Sequence, residues 1–244
     1  MNEPKVMIII PTCEVARRAD FYDYMDQLHR PEGTIQIRPH GQSPGRNRNL
    51  AIEEALKLEC THCFFVDDDV VLRPDALLRL LAHDKDMVGG LYLMRNYPHL
   101  PIMFDESYND GRCKFSFLTK GRKGLVEAVN TGLGCALIKT DVFRKMEQPW
   151  VRIGQLEKDH WCDDIDFFNR ARNEYGYKLF VDLEVQAGHM IHATIFPHRA
   201  EDGSWHTAFT TKPDEAFTVP QYIMSEEEIK RQTENTGVTL VESV

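Results

Sequence analysis

Two short segments constrain this chain most, because each is apolar without interruption: Val6-Met7-Ile8-Ile9-Ile10, closed by Pro11, and Cys63-Phe64-Phe65-Val66, closed by Asp67. A strand with one wet face alternates apolar and polar residues, whereas a strand covered on both faces is apolar throughout. The two segments therefore predict a sheet with helices on both sides. Between them, residues 17–28 read as a helix, residues 34–38 alternate as a strand, and residues 39–45 are loop by composition. Residues 46–58 carry helical periodicity through Leu50, Ala51, Ala55 and Leu56. Strand, helix, strand, helix, strand is the start of an α/β fold with a parallel sheet. Further strands are expected at 87–91, 125–129 and 135–138, and further helices at 141–146 and 164–175. Pro74 is expected in the first turn of the helix that follows the aspartates.

The 244 residues are 42% hydrophobic and 27% charged, enough to bury one substantial core. No linker-like tract divides them, and the apolar segments continue to about His189 before the composition turns polar. We expect one catalytic domain over residues 1–198 and an extension over 199–244 whose aromatics, Trp205, Phe209, Phe217 and Tyr222, pack back on it. A capped helix is expected from Ser225, with a frayed end after it. The opening apolar segment is too short to span a bilayer and lacks signal-peptide flanks, so a cytoplasmic location is expected. Cys13, Cys60, Cys63, Cys113, Cys135 and Cys162 are scattered, several within strand-like segments, and are read as thiols. Cys60 and Cys63 have zinc-like spacing, but no second pair follows.

A net charge of −9 disfavours a general polyanion-coating protein. A local basic strip remains over residues 112–123, with Lys114, Lys120, Arg122 and Lys123 beside Phe115 and Phe117. The bland reading is a solvated loop; the other is a nucleic-acid contact.

Ligands of parallel sheets bind beyond the carboxyl ends of the strands. Asp67, Asp68 and Asp69 stand at that end of the second apolar run. Adjacent carboxylates repel, and a bound cation offsets the repulsion; oxygen ligands point to Mg²⁺ or Mn²⁺ shared with phosphate. A second acidic cluster, Asp163-Asp164-Ile165-Asp166, follows Trp161-Cys162 and opens a helix. One aspartate there is explained by capping. The pair also offers a base for removing a hydroxyl proton. Gly89-Gly90 and Gly132-Leu133-Gly134 lack the spacing of phosphate loops and are read as places where backbone approaches a bound sugar or acceptor.

Phe65-Val66-Asp67-Asp68-Asp69-Val70 resembles the DxD motif of GT-A glycosyltransferases, and Cys162-Asp163-Asp164-Ile165-Asp166-Phe167 resembles their later acidic motif. Gly45-Arg46-Asn47-Arg48-Asn49-Leu50-Ala51 is similar to the Arg-Asn segment of family-2-like members. Asn130-Thr131-Gly132-Leu133-Gly134 is similar to their Thr-Gly loop, and Pro149-Trp150 to their proline-aromatic step. The ordered set spans residues 5–192. The resemblance implies a GT-A, Rossmann-like fold with a central mostly parallel sheet flanked by helices. It implies a metal-dependent transferase moving a sugar from a nucleoside diphosphate, with uridine favoured, to an acceptor hydroxyl with inversion. By the same resemblance, Asp69 is the metal ligand, Asp67 contacts ribose or metal, and Asp68 assists. Pro11 and Thr12 border the base, and Arg48 braces the nucleotide pocket. His189 completes the metal site, with His192 as substitute. Asp164 is the base, or Asp163 if the register differs.

The acceptor stays open between glycan, lipid-linked, protein, small-molecule and phage-type modified DNA base. A nucleotidyltransferase is the rival enzyme class, although Pro11-Thr12-Cys13-Glu14 is not its glycine-rich basic loop. A binding module without catalysis is the rival of a different class.

Overall fold

The computed structural model describes residues 3–12, 19–96, 99–107, 113–116, 118–152, 163–191, 194–210 and 217–220. The elements run β1 (Val6–Ile9), α1 (Ala19–Gln27), β2 (Ile35–Ile37), α2 (Pro44–Lys57), β3 (His62–Val66), β4 (Val70–Val71), α3 (Ala76–Ala82) and β5 (Met87–Leu91). They continue with β6 (Met103–Ser107), β7 (Cys113–Phe115), β8 (Leu125–Ala128), β9 (Asn130–Thr131), β10 (Cys135–Lys139), α4 (Thr140–Lys145) and α5 (Asp163–Asn173). Last come β11 (Leu179–Gln186), β12 (Gly188–Met190), β13 (Thr194–Arg199), β14 (Trp205–Thr210) and β15 (Phe217–Pro220).

A seven-stranded sheet of order β2-β1-β3-β10-β5-β11-β8 forms the centre. Its inner strands β1, β3, β5 and β10 are buried on both faces, as their apolar sequences require, while the edge strands β2 and β8 are partly exposed. In β1, Val6 and Ile8 join one core cluster while Met7 and Ile9 join the other. In β3, Phe64 and Val66 point to the first face and Cys63 and Phe65 to the second. The first face is covered by α1 and α3 through Phe21, Met25, Leu77 and Leu80. The second is covered by α2, α4 and α5 through Ile52, Ala55, Phe143, Phe167 and Phe168. This is a mixed α/β fold with a large, mostly parallel central sheet between helices.

Two strands of the mostly parallel sheet run against the rest. β10 runs antiparallel to both β3 and β5, and β8 antiparallel to β11. The 135–138 segment is continuous and apolar because it is central, and burial does not encode direction. Two helix starts differ from expectation. α2 begins at Pro44 rather than after Gly45, since a first-turn proline needs no N–H partner. Pro74 lies before α3, which starts at Ala76, and its carbonyl accepts the His29 N–H at 2.7 Å.

A second sheet, β15-β14-β13-β12-β4, joins the first through Asp67–Val71. Trp205 of β14 is buried with Leu91, Met103, Val181 and Leu183, so this sheet is anchored on the main core. Cys60, Cys63 and Cys135 are buried free thiols. Among the described residues no helix is long and apolar enough to cross a membrane. The segment expected as a helix from Ser225, with Tyr222, Cys13 and Cys162, lies outside the described residues.

Candidate functional site

Asp67, Asp68 and Asp69 leave the carboxyl end of β3 in a turn closed by the Val70 N–H on the Asp67 carbonyl, 2.9 Å. The turn is held from two sides. The Asp67 N–H donates to Gly134 O at 3.1 Å, and the Met190 N–H to Asp69 O at 2.7 Å. Ile9 lies opposite Phe65 in the sheet, so Pro11 and Thr12 emerge on the same edge. Thr12 bridges to His40, and its N–H donates to Pro39 O at 3.0 Å. Beside this pair, Ile37, Arg38, Pro39, His40, Asn47, Leu50 and Ala51 line an open cavity of about 380 Å³.

Arg48, on the inner face of α2, ties the two acidic clusters together. Its Nη2 donates to Asp67 Oδ1 at 2.5 Å and its Nη1 to Asp163 Oδ2 at 2.8 Å. The residue is 5% exposed. Burial alone would lower its pKa, but Asp67, Asp163 and Asp164 outweigh burial and raise it, so Arg48 stays charged. A guanidinium suits this post because its fork reaches two carboxylates at once.

The carboxylates of α5 also cap that helix, as an acidic first turn should. Asp163 Oδ1 accepts the Asp164 N–H at 3.1 Å and Asp164 Oδ1 accepts the Ile165 N–H at 2.9 Å. The helix is fixed from beneath. Asn130 Nδ2 donates to Ile165 O at 3.2 Å and to Asn169 Oδ1 at 3.3 Å, which links β9 to α5. Arg170 donates to the carbonyls of Glu147, Pro149 and Trp150 at 3.0–3.1 Å, and Trp150 Nε1 to Phe143 O at 2.8 Å. Asn49, next to Arg48, exchanges hydrogen bonds with the Val151 backbone at 2.6 and 3.0 Å. The Arg-Asn segment and the Pro-Trp step thus hold α2 and α5 in register.

His189 lies on β12, opposite Val70 of β4. Its Nδ1 is 2.7 Å from Leu93 O. A carbonyl only accepts, so Nδ1 carries the proton and, in the neutral ring, Nε2 is the lone-pair nitrogen. That nitrogen is 3.6 Å from Asp69 Oδ2. A ring anchored through one nitrogen and presenting the other beside a carboxylate is the arrangement a metal-ligating histidine needs. Among the described residues no group of three or more His, Cys, Asp and Glu is assembled to hold a metal ion. Asp69 and His189 are a pair, and the donor set fits a cation that takes its other ligands from phosphate and water. His192 lies outside the described residues.

Two residues of this edge were not expected from sequence. Tyr92, just after β5, is buried beneath the aspartate turn, and its hydroxyl accepts the Gly134 N–H at 3.1 Å. Burial, then Asp67 and Asp164, push the phenol pKa well above its ordinary value, so it stays protonated. Its ring meets His189 edge-on, with centroids 5.6 Å apart. Arg95, a few residues on, donates from Nη1 to Asp69 Oδ2 at 2.9 Å. The rule that strand ends of a parallel sheet bind ligands, applied to β5 as well as β3, points to both residues.

The glycines differ in role. A Cβ on Gly132 would overlap the Tyr92 hydroxyl, and one on Gly134 would stand 2.8 Å from it and 3.1 Å from Asp67 Oδ2. These two let backbone approach the aspartate turn. Gly90 makes room for neighbouring strands instead, since its Cβ would lie 2.7 Å from Cys135 Sγ and 2.8 Å from Val185 Cγ1. The ligand-approach reading of Gly89-Gly90 is thereby corrected to strand packing.

The basic strip is largely neutralised. Lys114 pairs with Glu106 at 2.9 Å, Lys120 with Asp202 at 3.6 Å and Arg122 with Asp105 at 3.7 Å. Phe115 is buried against Phe104 and offers no stacking platform, while Arg112 and Phe117 lie outside the described residues.

No protein-family model matches the chain. No curated protein sequence matches it either. Among solved structures it is similar to A197 from STIV, with a TM-score of 0.59 and 16% identity over 85% of this chain and 94% of that one. It is also similar to GalNAc-T7 with UDP, GalNAc and Mn²⁺, with a TM-score of 0.47 and 10% identity over 78% of this chain and 44% of that one. A nucleoside-diphosphate-sugar pyrophosphorylase from Vibrio cholerae RC9 gives a TM-score of 0.42 and 12% identity over 85% of this chain and 78% of that one. The first likeness shows a shared fold; the other two are too distant to bear on this chain's chemistry.

Proposed function

We propose that the chain is a metal-dependent GT-A glycosyltransferase that moves a sugar from a nucleoside diphosphate to an acceptor hydroxyl. What supports the reading most is one observation: Arg48 joins Asp67 of the aspartate turn to Asp163 of α5, while His189 stands beside Asp69 on the same edge. Donor and acceptor chemistry need such a junction, since the leaving group and the attacking hydroxyl meet at one carbon.

In this mechanism Asp69 and His189 hold the cation, and a carboxylate with an imidazole favours Mn²⁺ over Mg²⁺. When bound, the cation supplies charge that stabilises the departing diphosphate. Pro11 and Thr12 border the nucleoside, and the cavity lined by Pro39, Asn47 and Leu50 receives the base, uridine being the first to test. Arg48 fixes Asp67 against the donor and keeps Asp163 engaged. Asp164 takes the acceptor proton as the new C–O bond forms at the anomeric carbon and the bond to diphosphate breaks, which inverts that carbon. Tyr92 and the Gly132-Leu133-Gly134 turn hold the aspartates and His189 from below.

A panel of nucleoside-diphosphate sugars, scored by thermal shift with and without Mn²⁺, tests the reading. One donor should raise the melting temperature only when Mn²⁺ is present. Incubating that donor with candidate acceptors should release nucleoside diphosphate. Release of pyrophosphate from a nucleoside triphosphate and sugar phosphate would identify a nucleotidyltransferase instead, and binding without turnover an inactive module.

A further inference from the structure

Asp69 Oδ2 faces two partners at once: Arg95 Nη1 at 2.9 Å and His189 Nε2 at 3.6 Å. Arg95 belongs to the segment after β5, and its side chain is 57% exposed against 20% for Asp69. It therefore reaches the aspartate from the solvent side, where an incoming ion would arrive. His189 cannot follow such an ion or leave it, because its Nδ1 is tied to Leu93 O and its ring is packed against Tyr92. One group at this oxygen is a guanidinium on a long, exposed arm, and its neighbour is an imidazole held at its other nitrogen.

We propose that Arg95 is an intramolecular counter-cation, which holds the ligating oxygen of Asp69 in the free protein and makes divalent-cation uptake depend on the donor diphosphate. The proposal rests on the metal-dependent reading of this site. A guanidinium and a divalent cation at one carboxylate oxygen repel each other, so the ion enters only as Arg95 withdraws. Withdrawal alone leaves Arg95 without an anion. A diphosphate arriving with the ion supplies one, in the bidentate form that a guanidinium binds well. Metal and donor thus help each other to bind, and by linkage the help is mutual.

The exposed Arg95–Asp69 pair is weak, so the effect on the free protein is modest but measurable. Binding of Mn²⁺, followed by the paramagnetic resonance of the free ion at low ionic strength, is measured with and without uridine diphosphate in the parent, Arg95→Ala, Arg95→Lys and Asp69→Ala. Arg95→Ala should bind Mn²⁺ alone about twofold to fivefold more tightly than the parent. The improvement in Mn²⁺ affinity caused by uridine diphosphate should be smaller in Arg95→Ala than in the parent. Arg95→Lys, which keeps the charge, should fall between them. If Arg95→Ala binds Mn²⁺ alone no more tightly than the parent while Asp69→Ala abolishes binding, the counter-cation role is wrong and the metal site stands. If the parent binds no Mn²⁺ even with uridine diphosphate, or Asp69→Ala binds as the parent does, the metal site and the role of Arg95 fall together.

Discussion

Two charge clusters in this protein are built on opposite plans. At the carboxyl edge of β3, Asp67 and Asp163 both bind Arg48, with Asp164 near enough to add to its field, and Asp69 beside them is paired with Arg95. On the face covered by α3, Asp182 of β11 sits among basic partners: Oδ2 lies 2.9 Å from His83 Nε2 and 3.4 Å from Arg79 Nη2, and Oδ1 accepts the Glu184 N–H at 2.9 Å. The second cluster is closed and saturated. The first joins two acidic segments through one guanidinium beside a histidine, and the proposed cation site lies there.

The sharpest break in that contrast is at Asp69. Asp69→Ala should abolish transfer and remove any Mn²⁺-dependent thermal shift by the nucleotide, because the pair with His189 is lost. His189→Ala should give a smaller loss of the same kind. Turnover unaffected in Asp69→Ala, or unaffected by a chelator in the parent, would end the metal-dependent reading.

Asp164→Asn separates chemistry from binding. The amide keeps the side chain's size and still caps α5, but accepts no proton near neutral pH. Turnover should fall by about 10²–10⁴-fold while nucleotide affinity stays near that of the parent. Asp163→Asn should instead disturb nucleotide binding, since Asp163 shares Arg48 with Asp67. Kinetics in which Asp163→Asn is dead and Asp164→Asn active would move the base by one residue.

Arg48→Met keeps the apolar stem and removes the bridge. Breaking a fully buried pair costs about 3–5 kcal/mol. Asp67 and Asp163 remain 32% and 23% exposed at their side chains, so water takes up part of the loss. A decrease of about 2–3 kcal/mol in chemical denaturation is expected. An unchanged midpoint would mean that the junction is not structural.

Much of this layout is legible in the sequence, for identifiable reasons. β1 and β3 are continuous and apolar because both faces are covered, and the aspartates mark the end of β3 because the run stops there. The partners of Arg48 are a different matter. Arg48 and Asp163 are 115 residues apart, and no local pattern encodes a pairing over that distance; only the resemblance to a known motif order placed both at one site. The reversed direction of β10 was hidden because a central strand is apolar whichever way it runs. Arg95 and Tyr92 carry no such local signal, since their partners Asp69 and Gly134 lie on other segments of the chain.

The smallest expected effect comes from the closed cluster. Burial alone would raise the pKa of Asp182, but hydrogen bonds from His83 and the Glu184 N–H, with the charge of Arg79, outweigh it and hold the carboxyl below its ordinary value. A group whose pKa is lower folded than unfolded adds stability above its unfolded value, and that stability is lost as pH falls through the folded one. Asp182→Asn removes this contribution while keeping the shape, and the remaining partners are half-buried His83 and exposed Arg79. The loss should be about 1–2 kcal/mol at neutral pH, within the range of a hydrogen bond to a charged group. The gap between parent and variant should be full above the usual carboxylate range and should close as pH is lowered through it. Mn²⁺ and nucleotide binding should be unchanged, because α3 and β11 hold this cluster apart from the residues assigned to the site. Denaturation midpoints of the two proteins across acidic pH, with Mn²⁺ titrations at neutral pH, check both halves: a constant gap would show that Asp182 contributes through packing rather than charge, and weakened Mn²⁺ binding would show that the two clusters are coupled.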